Sequence, residues 1–485
     1  MSEPIPERAD IRQLRIQAKE LLRSLSNGEK LADAQLTIAR KYGFDSWPKL
    51  VDAIETPVLL DKFKRAVYEG DVATVDKLLR TKSALRRHID DPMFEFDSPA
   101  IVYASSHPHA EKLIPLLVKH GANPNIRSKW WAGGFGALDH ASSKMADLLV
   151  ELGAKFDVFS AASQGRIDVL RKLLDADPAS VNAPGGDGQR PLHVAKTPEI
   201  AELLITRGAE VEIRDIDHES TPIQYHANNP GVLRVLLKRG AKPDIFTAAL
   251  LDDVDLAKKI LDDNPAASES RAGSAPFVTS KSNGGHIYIY LLGNGKTPAQ
   301  VAAERGNRAV LEQLSKGTSQ VRQLISASWL EDKDAVEEIL RTQPDIAMEF
   351  GADARSITDA AQAGKTETVR LLLKAGFDPS TPGMDSGSAL HVACWFGYVD
   401  IVRLLLDQVP LDLKDRNHGS PPLGWATHGS QWCNNLKGDY VAVVEALLKA
   451  GADLNAPANS GGTSMLDQAG QREDVKEVLR KYGAT

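Results

Sequence analysis

One phrase recurs along this chain and constrains its fold more than any other feature. An apolar stretch runs into a charged or basic segment and then meets a glycine. The copies are LLVKHGANPN from Leu116, LLVELGAKFD from Leu148, LLITRGAEVE from Leu203, LLKRGAKPD from Leu236, LLLKAGFDPS from Leu371 and LLKAGADLN from Leu447. Glycine after a helix adopts the left-handed conformation that ends it, and basic side chains complement the negative end of the helix dipole. The phrase therefore predicts a series of equivalent helix ends.

A second phrase opens the other helix of each predicted pair. Its copies are GQRPLHVA from Gly188, HESTPIQYHA from His218, GKTPAQVAAERGN from Gly295 and GSALHVACWFGY from Gly387. They are similar to the T-P-L-H-x-A signature of ankyrin repeats, in which proline occupies the first helical turn. Gly121 and Gly153 lie 32 residues apart, close to the ankyrin period of about 33. From about Pro57 to Thr485 the chain thus resembles the ankyrin-repeat family.

The resemblance implies an all-α solenoid of about 13 helix-turn-helix units with β-hairpin fingers. Fingers and first helices would line a concave groove. We expect an N-terminal helical capping segment over residues 1–56 and the repeat array over residues 57–485. The motif YGFDSW, which starts at Tyr42, is similar to a YGFxSW motif in long bacterial ankyrin-repeat proteins.

Several segments depart from the plain repeat. Residues 271–294 are predicted to form an enlarged finger hairpin, because Asn283-Gly284-Gly285 signals a turn and HIYIYLL is rich in strand formers. Residues 428–440 lengthen the connection between two helices, and residues 462–485 form a C-terminal capping repeat. The segments after Gly153 and Gly240 leave only a few residues before the next helix, so no finger is expected there.

Composition excludes several classes of function. The chain has 485 residues, 42% of them hydrophobic and 25% charged, with a net charge of −7. That balance argues against a general nucleic-acid or anionic-membrane surface. Two cysteines, Cys394 and Cys433, provide no disulfide framework, and no signal core or membrane span is visible. We expect a cytoplasmic protein without nucleic-acid or membrane partners.

Large aromatic side chains fall at positions that the resemblance places in the groove or in the fingers. Exposed aromatic residues are frequent contacts at interfaces. The alternative is that they pack between neighbouring repeats as core. The candidate ligand- or partner-binding residues are Trp130, Trp131, Tyr288, Tyr290, Trp329, Trp395, Phe396, Trp425 and Trp432.

Titratable side chains give a second set of candidates. Asp217-His218-Glu219 and His428 have the chemistry for acid–base catalysis, and a histidine flanked by carboxylates also suits metal ligation. The alternative is structural, since a helix N-terminus favours capping and acidic residues. No established catalytic motif is present, so we expect no cofactor and no metal, and catalysis stays open.

Two functions are consistent with these features. The first is a binding or scaffold protein that engages a protein or peptide in its groove. The alternative is an unconventional enzyme or small-molecule-binding protein, with acid–base or hydrolytic chemistry in an aromatic-lined pocket formed by insertions on the groove side. A scaffold predicts an open groove with its aromatic residues spread along it. An enzyme predicts that Trp395, Trp425 and His428, or Trp130, Asp217 and Tyr288, converge on one enclosed cavity. We expect these two sets to form separate patches.

Overall fold

The computed structural model describes residues 3, 10–24, 30–279, 281–316, 318–433, 435 and 437–484. Parts of the predicted segments 1–56, 271–294, 428–440 and 462–485 lie outside these residues. The chain divides into two compact units. Unit 1 comprises Met1–Lys242 and Pro276–Leu291, and unit 2 comprises Pro243–Ala275 and Leu292–Thr485. Among the described residues, none of the helices has the length and apolarity needed to cross a membrane.

Both units consist of short helices joined by turns, which confirms the all-α prediction. Those of unit 1 are α1 Ile11–Ser24, α2 Leu31–Lys41, α3 Trp47–Tyr68, α4 Val72–Thr81, α5 Ser83–Arg87, α6 Ala100–Ala104, α7 Ala110–Lys119, α8 Ser143–Glu151, α9 Val158–Gln164, α10 Ile167–Ala176, α11 Pro198–Thr206, α12 Pro222–Tyr225 and α13 Pro230–Lys238. Those of unit 2 are α14 Ile245–Leu251, α15 Val254–Asp263, α16 Pro298–Glu304, α17 Arg308–Ser315, α18 Gln320–Trp329, α19 Lys333–Thr342, α20 Ser356–Gln362, α21 Thr366–Lys374, α22 Ala389–Phe396, α23 Val399–Leu405, α24 Pro422–Trp432, α25 Tyr440–Lys449, α26 Met465–Gln468 and α27 Glu473–Lys481.

The repeated phrases form the helix boundaries that they predict. Gly121, Gly153, Gly208, Gly240 and Gly451 all follow helix ends with φ between 93° and 102°. A side chain at such a φ is strained, so glycine there ends the helix at low cost. The proline of the second phrase stands in the first turn of α12 and α16. Each helix pair buries its apolar face against neighbouring pairs, which is how a repeat array builds its core.

The shortened junctions are present as predicted. α8 ends at Glu151 and α9 begins at Val158, while α13 ends at Lys238 and α14 begins at Ile245. The carboxylate of Asp157 accepts the Ser160 amide at 2.7 Å and caps α9. Because the cap follows the glycine so closely, the chain enters the next helix without a finger.

The N-terminal segment has its own small core. Leu14 and Ala18 of α1 pack with Ile38 and Ala39 of α2 and with Leu50 of α3. Helix α3 runs without a break across the predicted boundary between residues 56 and 57. The N-terminal segment therefore shares a continuous helix with the beginning of the repeat array, and its role as a cap stays a prediction.

The fingers are tight turns and not extended hairpins. Within the described residues, isolated bridges join Phe94 to Ser98 and Arg127 to Gly136, without longer ladders. The strand expected at HIYIYLL is wrong, since Ile289–Gly293 form a π-helical turn. The cause is a contact with a distant part of the chain, because the Ile287 amide donates to the Ser220 hydroxyl at 3.2 Å and not to a partner strand.

The expected insertion at residues 428–440 is partly helical. Helix α24 continues to Trp432, and α25 begins at Tyr440. Residues 428–432 thus extend the first helix of this pair and do not belong to a connecting loop. The described part of residues 462–485 forms α26 and α27.

Candidate functional site

Two finger turns, one in each unit, are built in the same way, and in each the carboxylate of an aspartate holds the turn together. In unit 1, Asp215 accepts the amides of His218 and Ser220, both at 2.7 Å. In unit 2, Asp415 accepts the amides of His418 and Ser420 at 2.6 and 3.0 Å. The same D-x-x-H-x-S pattern therefore builds the same turn twice, with a histidine at its tip.

The finger that precedes each of these turns also carries an aspartate. Asp187 has φ 55° and Asp385 has φ 45°, a conformation that is uncommon for aspartate. In unit 1 the backbone oxygen of Asp187 accepts the amides of Ile216 and Asp217 at 3.0 and 3.2 Å. This contact fixes the two neighbouring fingers of unit 1 to each other.

In unit 1 these fingers bring two carboxylates to one imidazole. Nε2 of His218 lies 3.7 Å from Oδ2 of Asp187 and 3.8 Å from Oδ2 of Asp217. The side chains are only 9 to 13% exposed. Among the described residues, Asp187, Asp217 and His218 form a group of side chains that could hold a metal ion. Each offers one donor atom, and these atoms lie within 4.8 Å of one another. Of Asp217-His218-Glu219, the first two thus belong to this cluster and Asp187 joins them, while the expected acid–base role stays a prediction.

Neighbouring groups fix the orientation of the cluster. Nδ1 of His218 lies 2.8 Å from the carbonyl oxygen of Gly285, so this nitrogen carries the proton and donates it. The indole N–H of Trp130 donates to Oδ1 of Asp187 at 3.0 Å. The ring of Tyr290 packs edge-on to His218, with centroids 5.4 Å apart. Trp130 and Asp217 of the predicted patch therefore lie together under the segment around Gly285, whereas Tyr288 packs on Phe277 and His286.

Electrostatics distinguish the members of the cluster. Burial alone would lower the pKa of His218, but the Asp187 carboxylate, the Gly285 carbonyl and the charge of Asp215 raise it to about 9. Burial raises the pKa of Asp217, the charge of His218 acts against this, and the negative charge of Asp187 raises the pKa further. The charged ring of His218 therefore stands beside both carboxylates and offsets part of the cost of burying them.

The second candidate site is a cavity of about 500 Å³ in unit 2. It lies where the fingers and first helices of three consecutive repeats meet. Its described lining residues are Met384, Asp385, Trp395, Asn417, His418, Ser420, Gly424, Trp425, His428, Asn459, Ser460, Gly461 and Gln468. The predicted patch of Trp395, Trp425 and His428 therefore converges on one cavity.

The aromatic wall of this cavity is built by tight helix packing. The rings of Trp395 and Trp425 lie 6.3 Å apart and nearly perpendicular, and Trp395 lies 5.4 Å from His428. A Cβ atom on Gly429 would come within 2.4 Å of the Trp395 carbonyl oxygen. Glycine at 429 thus lets α24 approach α22 closely enough to bring the rings together.

In unit 2 the pKa values of His428 and Asp415 are both lowered, but for different reasons. Burial lowers the pKa of His428, and the nearby His418 adds to the effect. Burial would raise the pKa of Asp415, but the indole of Trp425 and two finger amides hold it below its ordinary value. At neutral pH the cavity therefore presents a neutral imidazole, while the charge of Asp415 is satisfied inside the finger.

The remaining aromatic candidates are distributed between core and surface. Tyr288 and Trp329 are only 1% and 6% exposed, contrary to the expectation that they contact a ligand. Tyr288 packs edge-on to Phe277 and His286, and Trp329 is enclosed in α18. At both positions the side chain contributes to the core, where burial of its apolar surface stabilises the fold.

Other candidates keep the exposure that was expected of them. Trp131, Tyr290 and Trp432 are 53%, 63% and 60% exposed. Phe396 stacks on Tyr398 and is not among the described residues that line the unit 2 cavity.

Glu219 has φ 52° and stays outside the cluster of donor atoms at His218. The capping alternative for Asp217 is also wrong, because Thr221 is the residue that precedes α12.

Sequence reasoning missed Asp187, Asn417 and His418. A signal for them exists in the chain, since Gly186-Asp187-Gly188 and Met384-Asp385-Ser386 form the same turn at corresponding places. Aligning the fingers with one another, and not only the helices, would have identified these positions.

Comparison with known proteins gives consistent matches to repeat proteins. The family model for ankyrin repeats matches residues 324–417 and 357–458. The E3 ubiquitin-protein ligase KEG of Arabidopsis thaliana is 25% identical over 73% of this chain and 20% of its own length. The ankyrin repeat and KH domain-containing protein mask-1 of Caenorhabditis elegans is 25% identical over 51% of this chain and 10% of its own length. This chain thus spans a fifth or less of these two relatives.

A shorter relative is matched over most of its length. Cyclin-dependent kinase 4 inhibitor B of Rattus norvegicus is 33% identical over 111 residues, which are 22% of this chain and 85% of the relative. The matched family and this relative agree with the helix pairs and glycine-ended helices described above.

Proposed function

We propose that this chain, which belongs to the ankyrin-repeat family, is an interaction scaffold that holds a segment of a partner protein in the unit 2 cavity. The ankyrin repeats and the matched relatives support a protein-interaction repeat scaffold. The rat relative is named as an inhibitor of a protein kinase, so an array of this kind acts there on another protein. One observation carries the finer proposal, namely the cavity of about 500 Å³ walled by Trp395, Trp425 and His428.

The chemistry of the cavity fits an extended segment with one bulky apolar or aromatic side chain. The aromatic rings form the wall, while Asn417, Asn459 and Gln468 bring amide groups to the same cavity. Interfaces commonly place aromatic contacts at their centre and polar groups at their rim. The amides would pair with the backbone of the segment, and the wall would receive its side chain.

Of the two tryptophans in the cavity wall, Trp395 is the one available to contact the bound segment. It is half-buried, whereas Trp425 is only 5% exposed and is fixed by its hydrogen bond to Asp415. Trp425 would act as the floor and Trp395 as the contact surface. Truncating Trp395 should therefore remove binding area without breaking the finger.

A small molecule is the second candidate occupant. The cavity volume lies within the range of roughly 300–1,000 Å³ that is usual for ligand pockets. His428 adds a neutral imidazole that can accept or donate a proton. In that case the same walls would hold a metabolite, and acid–base chemistry at His428 would become testable.

Peptide display on the purified full chain tests the proposal. We expect enriched peptides to share a large apolar residue and to bind Trp395→Ala at least about tenfold more weakly, since a central aromatic contact is worth about 2 kcal/mol or more. Phe396→Ala is the matched control, because Phe396 is half-buried on the same helix but stacks on Tyr398. Peptides that bind Trp395→Ala as tightly as the wild type would contradict the proposal.

The small-molecule alternative has its own measurement. A metabolite library is screened by thermal shift on the wild type and on Trp395→Ala. A compound that stabilises only the wild type, without peptide enrichment, would replace the scaffold proposal by a ligand-binding one. His428→Ala would then be assayed for turnover of that compound.

A further inference from the structure

The cluster of Asp187, Asp217 and His218 has no part in the unit 2 cavity. We propose that these three side chains of unit 1 bind one divalent transition-metal ion, for which Zn²⁺ is the reference probe. The proposal is independent of the function proposed above and rests on the geometry around Nε2 of His218.

The distances within the cluster suit a shared ion better than a direct hydrogen bond. Nε2 of His218 lies 3.7 and 3.8 Å from the two carboxylate oxygens, beyond the length of a charge-assisted hydrogen bond. Two donors that bind one zinc ion at about 2.0–2.1 Å in tetrahedral geometry lie roughly 3.3 Å apart. Each carboxylate oxygen is therefore within about half an ångström of the separation from Nε2 that a shared ion needs, and the donor atoms of all three residues lie within 4.8 Å of one another.

The imidazole already has the orientation that a ligand needs. Its Nδ1–H donates to the Gly285 carbonyl, so Nε2 faces the two carboxylates, and an ion bound there would replace the Nε2 proton of the charged ring. Histidines that bind metals usually make this outer contact. The Trp130 indole provides a similar outer contact to Asp187, whose other oxygen faces the imidazole.

The segment that covers the cluster is fitted closely to it. A Cβ atom on Gly284 would come within 2.5 Å of Oδ2 of Asp217 and 2.8 Å of Cε1 of His218. The Gly284 amide donates to the Asp217 carbonyl oxygen at 3.2 Å, and the Tyr290 hydroxyl donates to the Gly284 carbonyl at 2.7 Å. Glycine at 284 thus allows the covering segment to lie directly on the donor atoms.

The corresponding finger of unit 2 shows that the turn itself does not require the carboxylate of Asp217. At the places of Asp187, Asp217 and His218, that finger has Asp385, Asn417 and His418, and the turn is held by the same aspartate pattern. An amide at 417 is therefore sufficient for the fold. The carboxylate of Asp217 is therefore a second oxygen donor beside Nε2 of His218 that the turn itself does not need.

The donor set selects the class of ion. One imidazole and two carboxylates favour zinc, manganese or iron over calcium and magnesium, which prefer sites made of oxygen donors. Three protein donors leave positions for water or for a donor of a bound molecule.

Calorimetric titration of the chelator-treated full-length chain with ZnCl₂ tests the proposal. We expect one zinc ion per chain and affinity reduced at least about tenfold in Asp217→Asn, because one ligand is lost. Asp217→Asn introduces the residue that already stands at position 417, so the variant should fold, which circular dichroism checks. Asp385→Asn is the matched control and should bind zinc like the wild type.

Spectroscopy of the cobalt-substituted protein gives a second readout. Replacing zinc by Co²⁺ should produce visible absorption bands that change in Asp217→Asn and in His218→Gln but not in Asp385→Asn. Absence of saturable zinc binding, or equal affinity in the wild type and a folded Asp217→Asn variant, would overturn the assignment. Displacement of zinc by an equimolar amount of Mg²⁺ would overturn it as well.

Discussion

Trp425 donates its indole N–H to Oδ2 of Asp415 at 2.8 Å, and the same carboxylate accepts the amides of His418 and Ser420. One aspartate therefore joins the finger of a repeat to the first helix of that repeat. The ring of His391 from the preceding repeat packs edge-on against Trp425 at 5.4 Å. The wall of the unit 2 cavity is thus part of the framework that holds two repeats together.

Replacing Trp425 by phenylalanine should destabilise the protein. The change removes one of the two donors to Oδ2 of Asp415, which keeps the Ser420 amide, and losing a hydrogen bond to a charged group costs about 1.5–3 kcal/mol. Thermal and urea unfolding measure the effect. Trp395→Phe is the control, because it leaves the contact to Asp415 in place and should lower the melting temperature less. Equal destabilisation by both changes would show that the hydrogen bond has no special part.

Replacing Gly429 by alanine should separate the two tryptophans. The new Cβ would lie 2.4 Å from the carbonyl oxygen of Trp395, a main-chain atom that cannot move without shifting α22. We expect a lower melting temperature, with a loss of about 1–3 kcal/mol, and weaker binding of any peptide selected on the wild type. Unchanged stability and unchanged peptide affinity would contradict the described packing of α22 on α24.

Replacing Gly284 by alanine should disturb the proposed metal site of Asp187, Asp217 and His218 in unit 1. Its Cβ would collide with Oδ2 of Asp217 and with the ring of His218, so the covering segment must shift. Zinc affinity should fall, while Lys281→Ala, an exposed change in the same segment, should leave it unaltered. Zinc titration of both variants measures the difference. An affinity in Gly284→Ala equal to that of the wild type would contradict the close apposition.

Stability should fall as the pH is lowered from about 6.5 towards 4. Burial lowers the pKa of His193 to about 3 and the pKa values of His226 and His391 to about 4. In the unfolded chain these histidines titrate near 6.5, so the unfolded state binds more protons over this interval and is favoured. Above that interval the stability from the neutral forms is fully present.

The variant His391→Gln isolates one of these contributions. Nδ1 of His391 accepts the Ser388 amide at 3.2 Å, which a protonated ring could not do. A glutamine cannot be protonated, so the melting temperature of the variant should fall less than that of the wild type between pH 7 and pH 5. Parallel pH profiles would contradict this assignment of the proton uptake.

The helix pairs were predictable because their signals are local. Gly208 and Gly240 end helices through their own backbone conformation, and Pro222 starts one through its fixed φ. The strand at His286–Leu292 was not predictable, since β-branched and aromatic residues indicate a strand only where a partner edge is available. Here the amide of Ile287 finds a serine hydroxyl instead.

The sites divide in the same way between local and distant information. Trp395, Trp425 and His428 were predicted together because consecutive repeats bring equivalent helix positions into contact. Asp187 was missed because its meeting with His218 depends on the path of two fingers, which the helix phrases do not encode. The burial of Tyr288 also depends on distant contacts, since residues Pro276–Leu291 belong to unit 1 although the preceding residues Pro243–Ala275 belong to unit 2.

Fluorine NMR of the full-length chain labelled with 5-fluorotryptophan tests the central proposal most directly. The chain has seven tryptophans, and single Trp→Phe variants assign their resonances. A peptide selected on the wild-type chain should shift the signals of Trp395 and Trp425 and leave that of the buried Trp329 in place. Shifts confined to Trp130 and Trp131, with Trp395 and Trp425 unmoved, would contradict the assignment of the unit 2 cavity as the binding site.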